Sequence, residues 1–476
     1  MSTLTFYYSF REDISLVQNK QGQPRLKTPQ GNTPLHNLSP GLLAAFNALS
    51  HAPCSEEILI AQIKQYDHQP NFAPLFYYLE RFQQQNILSR SLMLQDTPFL
   101  TIEPISPYNP QTNQTLPVNQ NFCLSRFAYL RRDQHLFALA SPRAHSRLLL
   151  HHWRLGALIQ HITTPKSIDD CLEIWGDLPS DWLTFFLNTL FTHQLITLMS
   201  TPTETKEDMD NNLVTWHFHE LLFHSRSRPG RHIKPTSKTY PFVDRMSPPP
   251  AVKPPPTTNT PPIDLPFPDL NQITAQDAPF TTILEQRHSQ RQHNPKQPIT
   301  LDQLGEFLYR TARVRARIPA NNFTQYETSN RPYPGGGACY ELELYLAINH
   351  CQDLERGLYY YHPENHQLYL ISSPTPQFES LIVDAMFATV NQTQPQIVIN
   401  IAARFQRVSW SYEGISYAVT LKNVGAFYQT MYLVATAMGL AACAMGRGNS
   451  DTFSQVAGLD YYTETTVGEF MLGTPA

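Results

Sequence analysis

Residues 331–350 read RPYPGGGACYELELYLAINH, and this stretch sets the class of the C-terminal half. Pro332 and Pro334 impose an extended backbone, and Gly335, Gly336 and Gly337 permit conformations closed to other residues, so a flat ligand or a partner chain can come close to the main chain. The run that follows alternates as a strand does. These glycines lack the GK[ST] of a triphosphate loop and stand too close together for a dinucleotide GxGxxG. Downstream, GLYYYHPENHQLYLI (357–371) spaces two strands about a Pro-Glu-Asn turn, and QIVINIAARF (396–405) reads as a buried strand. VGAFYQTMYLVATAMGLAACAMG (424–446) reads as one long apolar helix that ends at glycine, with Gly446-Arg447-Gly448 directly after it.

Upstream, RHSQR (287–291) places Arg287, Ser289 and Arg291 at alternate positions, so in an extended segment their side chains leave from one side. Two guanidiniums and a hydroxyl can then converge on an anion, because arginine forks match phosphate oxygens bidentately. Taken alone, an arginine-rich turn more often describes a solvated surface.

The chain has 476 residues, enough for two to four domains with separate cores. Its 40 prolines and 16% charged residues are unusual, while 11% aromatic content argues against wholesale disorder. Thirty-five basic against 39 acidic residues leave a formal charge of −4, which is no footprint for a polyanion, so nucleic acid is not an expected partner. Six cysteines with no CxxC pair exclude a zinc ribbon and a disulfide scaffold. With no signal-peptide pattern and no apolar run near 18 residues, a cytoplasmic protein with no membrane partner is expected. Residues 248–268 carry ten prolines and read as a semi-rigid polyproline tether between two halves with different tasks.

The first half shows a faint duplication. LERFQQQNILSR (79–90) and LNTLFTHQLITL (187–198) each pass from helical spacing through a polar turn into a short strand. Ser39-Pro40 and Ser141-Pro142 read as helix starts, and SEEILIAQIKQY and SIDDCLEIW as further helices, so each unit resembles a winged helix. Neither concentrates basic residues, so docking of a peptide as an added strand is favoured over DNA. In TWHFHELLFHSRSRPGRH (215–232), His217, His219 and His224 lie near Glu220, but the spacing is not HExxH. A helix burying Trp216, Leu221 and Phe223, with an exposed basic tail of Arg226, Arg228 and Arg231, is expected instead, and no metal.

Taken in order, RxSxR, the Arg-x-Tyr-Pro-Gly-Gly segment with its ELYL strand, GLYYY, a late WxY, QTMYLVATAMGL and the terminal VGEFMLG resemble the SagB-type flavin-dependent azoline dehydrogenases of the nitroreductase fold, and within them the cyanobactin thiazoline/oxazoline oxidases. The likeness covers roughly 280–476, and the first half, including WHFHELLFHSRSR, is more loosely similar to the group's peptide-recognition domains.

The resemblance implies an α+β chain with four parts: winged-helix-like peptide-binding domains at 1–105 and 106–232, a proline-rich linker at 233–275, and a nitroreductase-like FMN oxidase domain at 276–476. It implies FMN at a homodimer interface. Arg287, Ser289 and Arg291, with His288 between them, match the FMN-binding triad, and Arg287 is the candidate for the phosphate. Pro334, Gly335 and Gly336 match the loop near the interface, and Gly446 and Arg447 match the loop whose amides would face the isoalloxazine ring. Family members carry Lys-Tyr after a tryptophan, whereas this chain has Trp410-Ser411-Tyr412. Tyr412 is therefore the acid/base candidate, and Lys422, ten residues on, is the nearest lysine in sequence to lower its pKa of about 10. The implied activity is oxidation of azoline rings in a precursor peptide to thiazoles or oxazoles, with dioxygen as electron acceptor. An NAD(P)H-dependent nitro or quinone reductase, a flavin-sensing regulator and a flavin-binding scaffold without chemistry stand as alternatives.

Overall fold

The computed structural model describes residues 4–29, 31–106, 114–322, 324–388 and 394–476, and the chain divides into two compact units, Met1–Thr236 and Ser237–Ala476.

In the N-terminal unit, three helices (Pro40–His51, Glu56–Tyr66, Ala73–Gln84) lead into the antiparallel strands Leu88–Leu94 and Thr97–Pro104. The Ser39 and Ser55 side chains accept from the backbone N–H of Leu42 and Ile58, tying off the first two helix starts. Phe46, Leu59, Ile63, Leu75 and Phe82 fill the space between them. A second trio (Trp153–His161, Ile168–Trp175, Ser180–Thr192) leads into Ile196–Leu198, which pairs with Phe122–Leu124. Ser167 and Asp170 form a reciprocal capping box at the middle helix, and Trp175, Phe186 and Leu183 bury the seam.

Ser141-Pro142 starts no helix; it forms the turn between the strands Leu136–Ala140 and Ser146–Leu150, and the helix begins at Trp153 after His152. Those strands pair on through Thr97–Pro104, so one six-stranded antiparallel sheet serves both helix trios, across the expected 105/106 boundary. A three-stranded sheet over Ser15–Gln18, Pro24–Thr28 and Gly31–Pro34 is a further addition. The helix Phe218–Arg226 forms as expected, but Trp216 and Leu221 are only half-buried and Phe223 is exposed. His217 serves as its N-cap opposite Glu220, and no group of three metal-ligating side chains occurs among the described residues. Arg226 and Arg231 are tied to the Ser141 and Arg143 carbonyls.

The C-terminal unit is built on a seven-stranded antiparallel sheet in the order Ile263–Asp264, Gln367–Ser372, Gly357–His362, Leu342–Ile348, Ile397–Arg404, Glu464–Gly473, Ala441–Met445. Successive strand residues face opposite layers: Leu342, Leu344, Leu346 and Ile348 meet Phe427 and Met431 of the helix Ser416–Ala437, and Tyr345 and Ala347 meet Phe378 and Phe453 on the other side. Helices therefore cover both faces, which is why these strands read as continuous apolar runs. The long helix does not reach Gly446. It stops at Gly439, which takes φ +66° while the Leu440 N–H returns to the Ala435 carbonyl, and Ala441–Met445 continues as an edge strand. All six cysteines are free and buried, and no helix is long and apolar enough to cross a membrane among the described residues.

The proline-rich segment is not a spacer. A polyproline run satisfies none of its own carbonyls. Here Arg407 donates to the Pro249 carbonyl, and Arg404 to those of Pro250 and Ala251; the indole N–H of Trp410 donates to Met246. Ala251 and Val252 are fully buried, Lys253 pairs with Glu464, and Ile263–Asp264 adds an edge strand. From residue 237 onward the segment is a strap belonging to the C-terminal unit. Burial lowers the Arg407 guanidinium to about 10, which leaves it charged at neutral pH, where it donates to the Pro249, Cys339 and Glu327 carbonyls. Arg407→Met is expected to cost about 3 kcal/mol or more and to open residues 244–258 to limited proteolysis; an unchanged digestion pattern would return the segment to a tether.

Candidate functional site

The RHSQR segment follows the short helix Phe280–Gln286 and is clamped to the C-terminal end of the long helix. The half-buried Arg287 lays its guanidinium 5.3 Å from the Tyr432 ring centroid, and Ser289 Oγ is 2.8 Å from the Tyr432 hydroxyl. That hydroxyl also accepts the Ala444 N–H, and the Gln290 N–H donates to the Ala442 carbonyl. Both bonds run to the edge strand Ala441–Met445, so Arg287 and Ser289 are held beside the exposed Gly446-Arg447-Gly448 loop that leaves it. Arg291 and His288 are exposed, with His288 Nδ1 2.8 Å from the Gln286 carbonyl. Gly446 has open space where a Cβ would lie, whereas a Cβ on Gly448 would run into the Glu469 carboxylate. Gly448, two residues beyond the Gly446 that the resemblance points to, is the glycine this loop requires. Burial raises the Glu469 pKa against the opposing hydrogen bond from Thr466.

A second group gathers at the N-terminal end of the same helix. Pro334 is exposed, Gly335 is extended, and Gly336–Ala338 makes a short 3₁₀ turn. The Gly336 N–H donates to Asn423 Oδ1 at 2.8 Å, and Asn423 Nδ2 donates to the buried Glu341 at 2.8 Å. Asn423 thus pins the loop to the helix, a role its position just before the apolar run 424–446 does not signal. Gly337 has φ +63°, and a Cβ there would stand 2.6 Å from the Tyr412 hydroxyl and 3.0 Å from Lys238 Nζ. The turn therefore needs glycine both for its conformation and for the approach of these two polar groups.

Tyr412 is half-buried, and burial pushes its phenol above the usual 10, with Cys339 and Tyr240 adding in the same sense. It therefore stays a protonated phenol at neutral pH. Lys422 does not reach it, being exposed on the long helix. The cation at Tyr412 is Lys238 from the strap, 5.4 Å from the ring centroid. Ser411 is fully buried, its hydroxyl on the Val408 carbonyl, so a lysine at that position would put its charge into the interior.

The expected site residues of one chain therefore fall into two clusters, Arg287/Ser289/Gly446–Gly448 and Pro334–Gly337/Tyr412, at opposite ends of one helix. The donor set fits FMN: a half-buried guanidinium and a hydroxyl suit a phosphate, and an exposed loop with a required glycine suits a flat ring approaching the backbone.

Three family models match in succession: the ThcOx helix-turn-helix domain over residues 1–111, the cyanobactin oxidase ThcOx over 122–233, and the nitroreductase family over 284–474. The putative nitroreductase MJ1384 of Methanocaldococcus jannaschii is 27% identical over 186 residues, 39% of this chain and 84% of the relative. Among solved structures, a putative nitroreductase from Anabaena variabilis aligns with 87% of this chain and 91% of its own, at 16% identity and a TM-score of 0.37. The Escherichia coli microcin synthetase McbBCD complex with truncated pro-MccB17 aligns at 17% identity over 50% of this chain and 88% of the matched chain, with a TM-score of 0.33. A ThcOx helix-turn-helix domain, a cyanobactin oxidase segment and a nitroreductase domain thus follow one another on this single polypeptide.

Proposed function

We propose that the protein is an FMN-dependent oxidase that converts thiazoline or oxazoline rings of a precursor peptide to thiazoles or oxazoles. The observation that carries this reading is the pair of partial sites on one chain: a phosphate-type donor set at one end of the helix Ser416–Ala437, and a proton-donating tyrosine on a glycine turn at the other. Two copies would complete each other's site, making the protein a homodimer. Arg287 and Ser289 would hold the FMN phosphate with His288 and Arg291 flanking it, Gly446 and Arg447 would face the ring, and Pro334–Gly336 would close over it. When bound, FMN would supply the hydride acceptor, with dioxygen as the final electron acceptor. Tyr412, protonated at neutral pH, donates a hydrogen bond to the ring heteroatom and orients the azoline.

The N-terminal unit supports a peptide substrate. The strand Tyr129–Asp133 is an unpaired edge of the six-stranded sheet, and beside it a cavity of about 740 Å³ is lined by Phe137, Leu150, His152, Trp153 and Ile159. Leu130, Phe137 and Trp153 are 40, 54 and 69% exposed there, an apolar rim suited to a leader segment added as a further strand.

The test is anaerobic mixing of the purified yellow protein with an azoline peptide bearing its leader. Bleaching of the flavin band, reversed by air, with each product ring lighter by two hydrogens, is the expected result. A leaderless substrate should raise KM at least tenfold with kcat little changed, because the tethered core loses its effective concentration. Bleaching by NAD(P)H alone would make the protein a reductase.

A further inference from the structure

The oxidation proposed above removes a ring proton, and Tyr412 holds its own proton too firmly to accept one. Residues 237–240 lie along residues 411–413 as an antiparallel bridge: the N–H groups of Thr239 and Tyr240 donate to the Ser411 carbonyl, Glu413 N–H donates to the Ser237 carbonyl, and Thr239 Oγ1 donates to the Glu413 carboxylate. This bridge delivers Lys238 to the Tyr412 side of the glycine turn. Its Nζ donates to the Tyr326 hydroxyl at 2.8 Å and reaches the Gly337 carbonyl at 3.5 Å, while the Tyr326 hydroxyl donates to that same carbonyl.

We propose that Lys238 is the residue that takes the ring proton, supplying from the strap the amine that the Trp410-Ser411-Tyr412 turn lacks. In the step, one ring C–H gives its proton to the Lys238 nitrogen, its electron pair becomes the new ring double bond, and the neighbouring C–H delivers its hydrogen with both electrons to the bound flavin. The inference rests on the oxidase reading.

The surroundings suit a neutral amine. Its two N–H groups meet two acceptors, Tyr326 and Gly337, which leaves the lone pair for the substrate. The charged and titratable groups that face it are Tyr326, Tyr412, Cys339 and Arg407, and among the described residues no carboxylate pairs with it, in contrast to Lys253 on Glu464. Burial, and secondarily the Arg407 charge, lowers its pKa, with Cys339 opposing. Tyr326, buried behind it, is raised well above 10 and stays a phenol.

Two measurements on the flavin-loaded protein decide the matter. Competitive acetylation followed by mass spectrometry should show Lys238 titrating at lower pH than the exposed Lys422 of the same molecule; identical titration would overturn the proposal. Lys238→Ala and Lys238→Arg should both retain flavin and lose about 10²–10⁴-fold in kcat, with the alanine variant partly restored by added ethylamine. An arginine variant within threefold of wild type would reduce Lys238 to a structural cation and overturn the proposal. A wild-type protein that leaves the azoline peptide unoxidised counts against the oxidase reading; an active wild type beside an equally active Lys238→Arg counts against Lys238 alone.

Discussion

Arg287→Ala should yield a colourless protein. The Arg287 guanidinium lies half-buried against Tyr432, beside Ser289 and next to the exposed Gly446–Gly448 loop. A charge-assisted hydrogen bond to a phosphate contributes roughly 1.5–3 kcal/mol, so its loss weakens FMN about 10- to 150-fold. The fold should barely notice, because a half-exposed guanidinium over an aromatic ring contributes about 0.5–1 kcal/mol. Flavin content after dialysis, with the melting temperature beside it, checks both halves. A variant that keeps full colour would remove Arg287 from the cofactor site.

The second large effect is Tyr412→Phe. This change deletes one hydroxyl and keeps the ring in place among Val419, Trp410 and Tyr240. Flavin should stay bound and turnover should fall about 10²-fold or more. The pH profile carries a sign. Burial raises the phenol, so the wild-type donor is present throughout the neutral range and is lost only as pH rises past its elevated value. The Lys238 amine becomes available as pH rises through its lowered value. Activity should therefore climb with pH on the Lys238 limb and decline only above about 10 on the Tyr412 limb. Normal turnover in yellow Tyr412→Phe would exclude the hydroxyl from the reaction.

What could be read along the chain was whatever local chemistry dictates. The Pro-Glu-Asn turn between two apolar runs placed the strands Gly357–His362 and Gln367–Ser372, the Ser39-Pro40 start and the amphipathic stretch SEEILIAQIKQY placed the helices at Pro40 and Glu56, and the glycine run at 335–337 marked a turn that other residues would strain. The ordered motifs of the second half were enough to name its family, because each motif is a contiguous string. Ser141-Pro142 misled because a Ser-Pro pair opens a turn as readily as a helix, and only pairing of the strands on either side decides between them. The long apolar run 424–446 held a helix and a strand, separated by the left-handed Gly439. Other features existed only once the chain was folded. Ten prolines describe a tether in isolation, and it took two buried arginines, one ending the strand Ile397–Arg404 and one in the short helix Phe405–Ser409 after it, to turn their unpaired carbonyls into a strap. That strap put Lys238 beside Tyr412, far away in sequence, while the sequence-adjacent choice, Lys422, faces solvent. Local propensity is written residue by residue, but the partner of a buried charge or carbonyl is chosen by whichever segment the fold brings within about 3 Å of it.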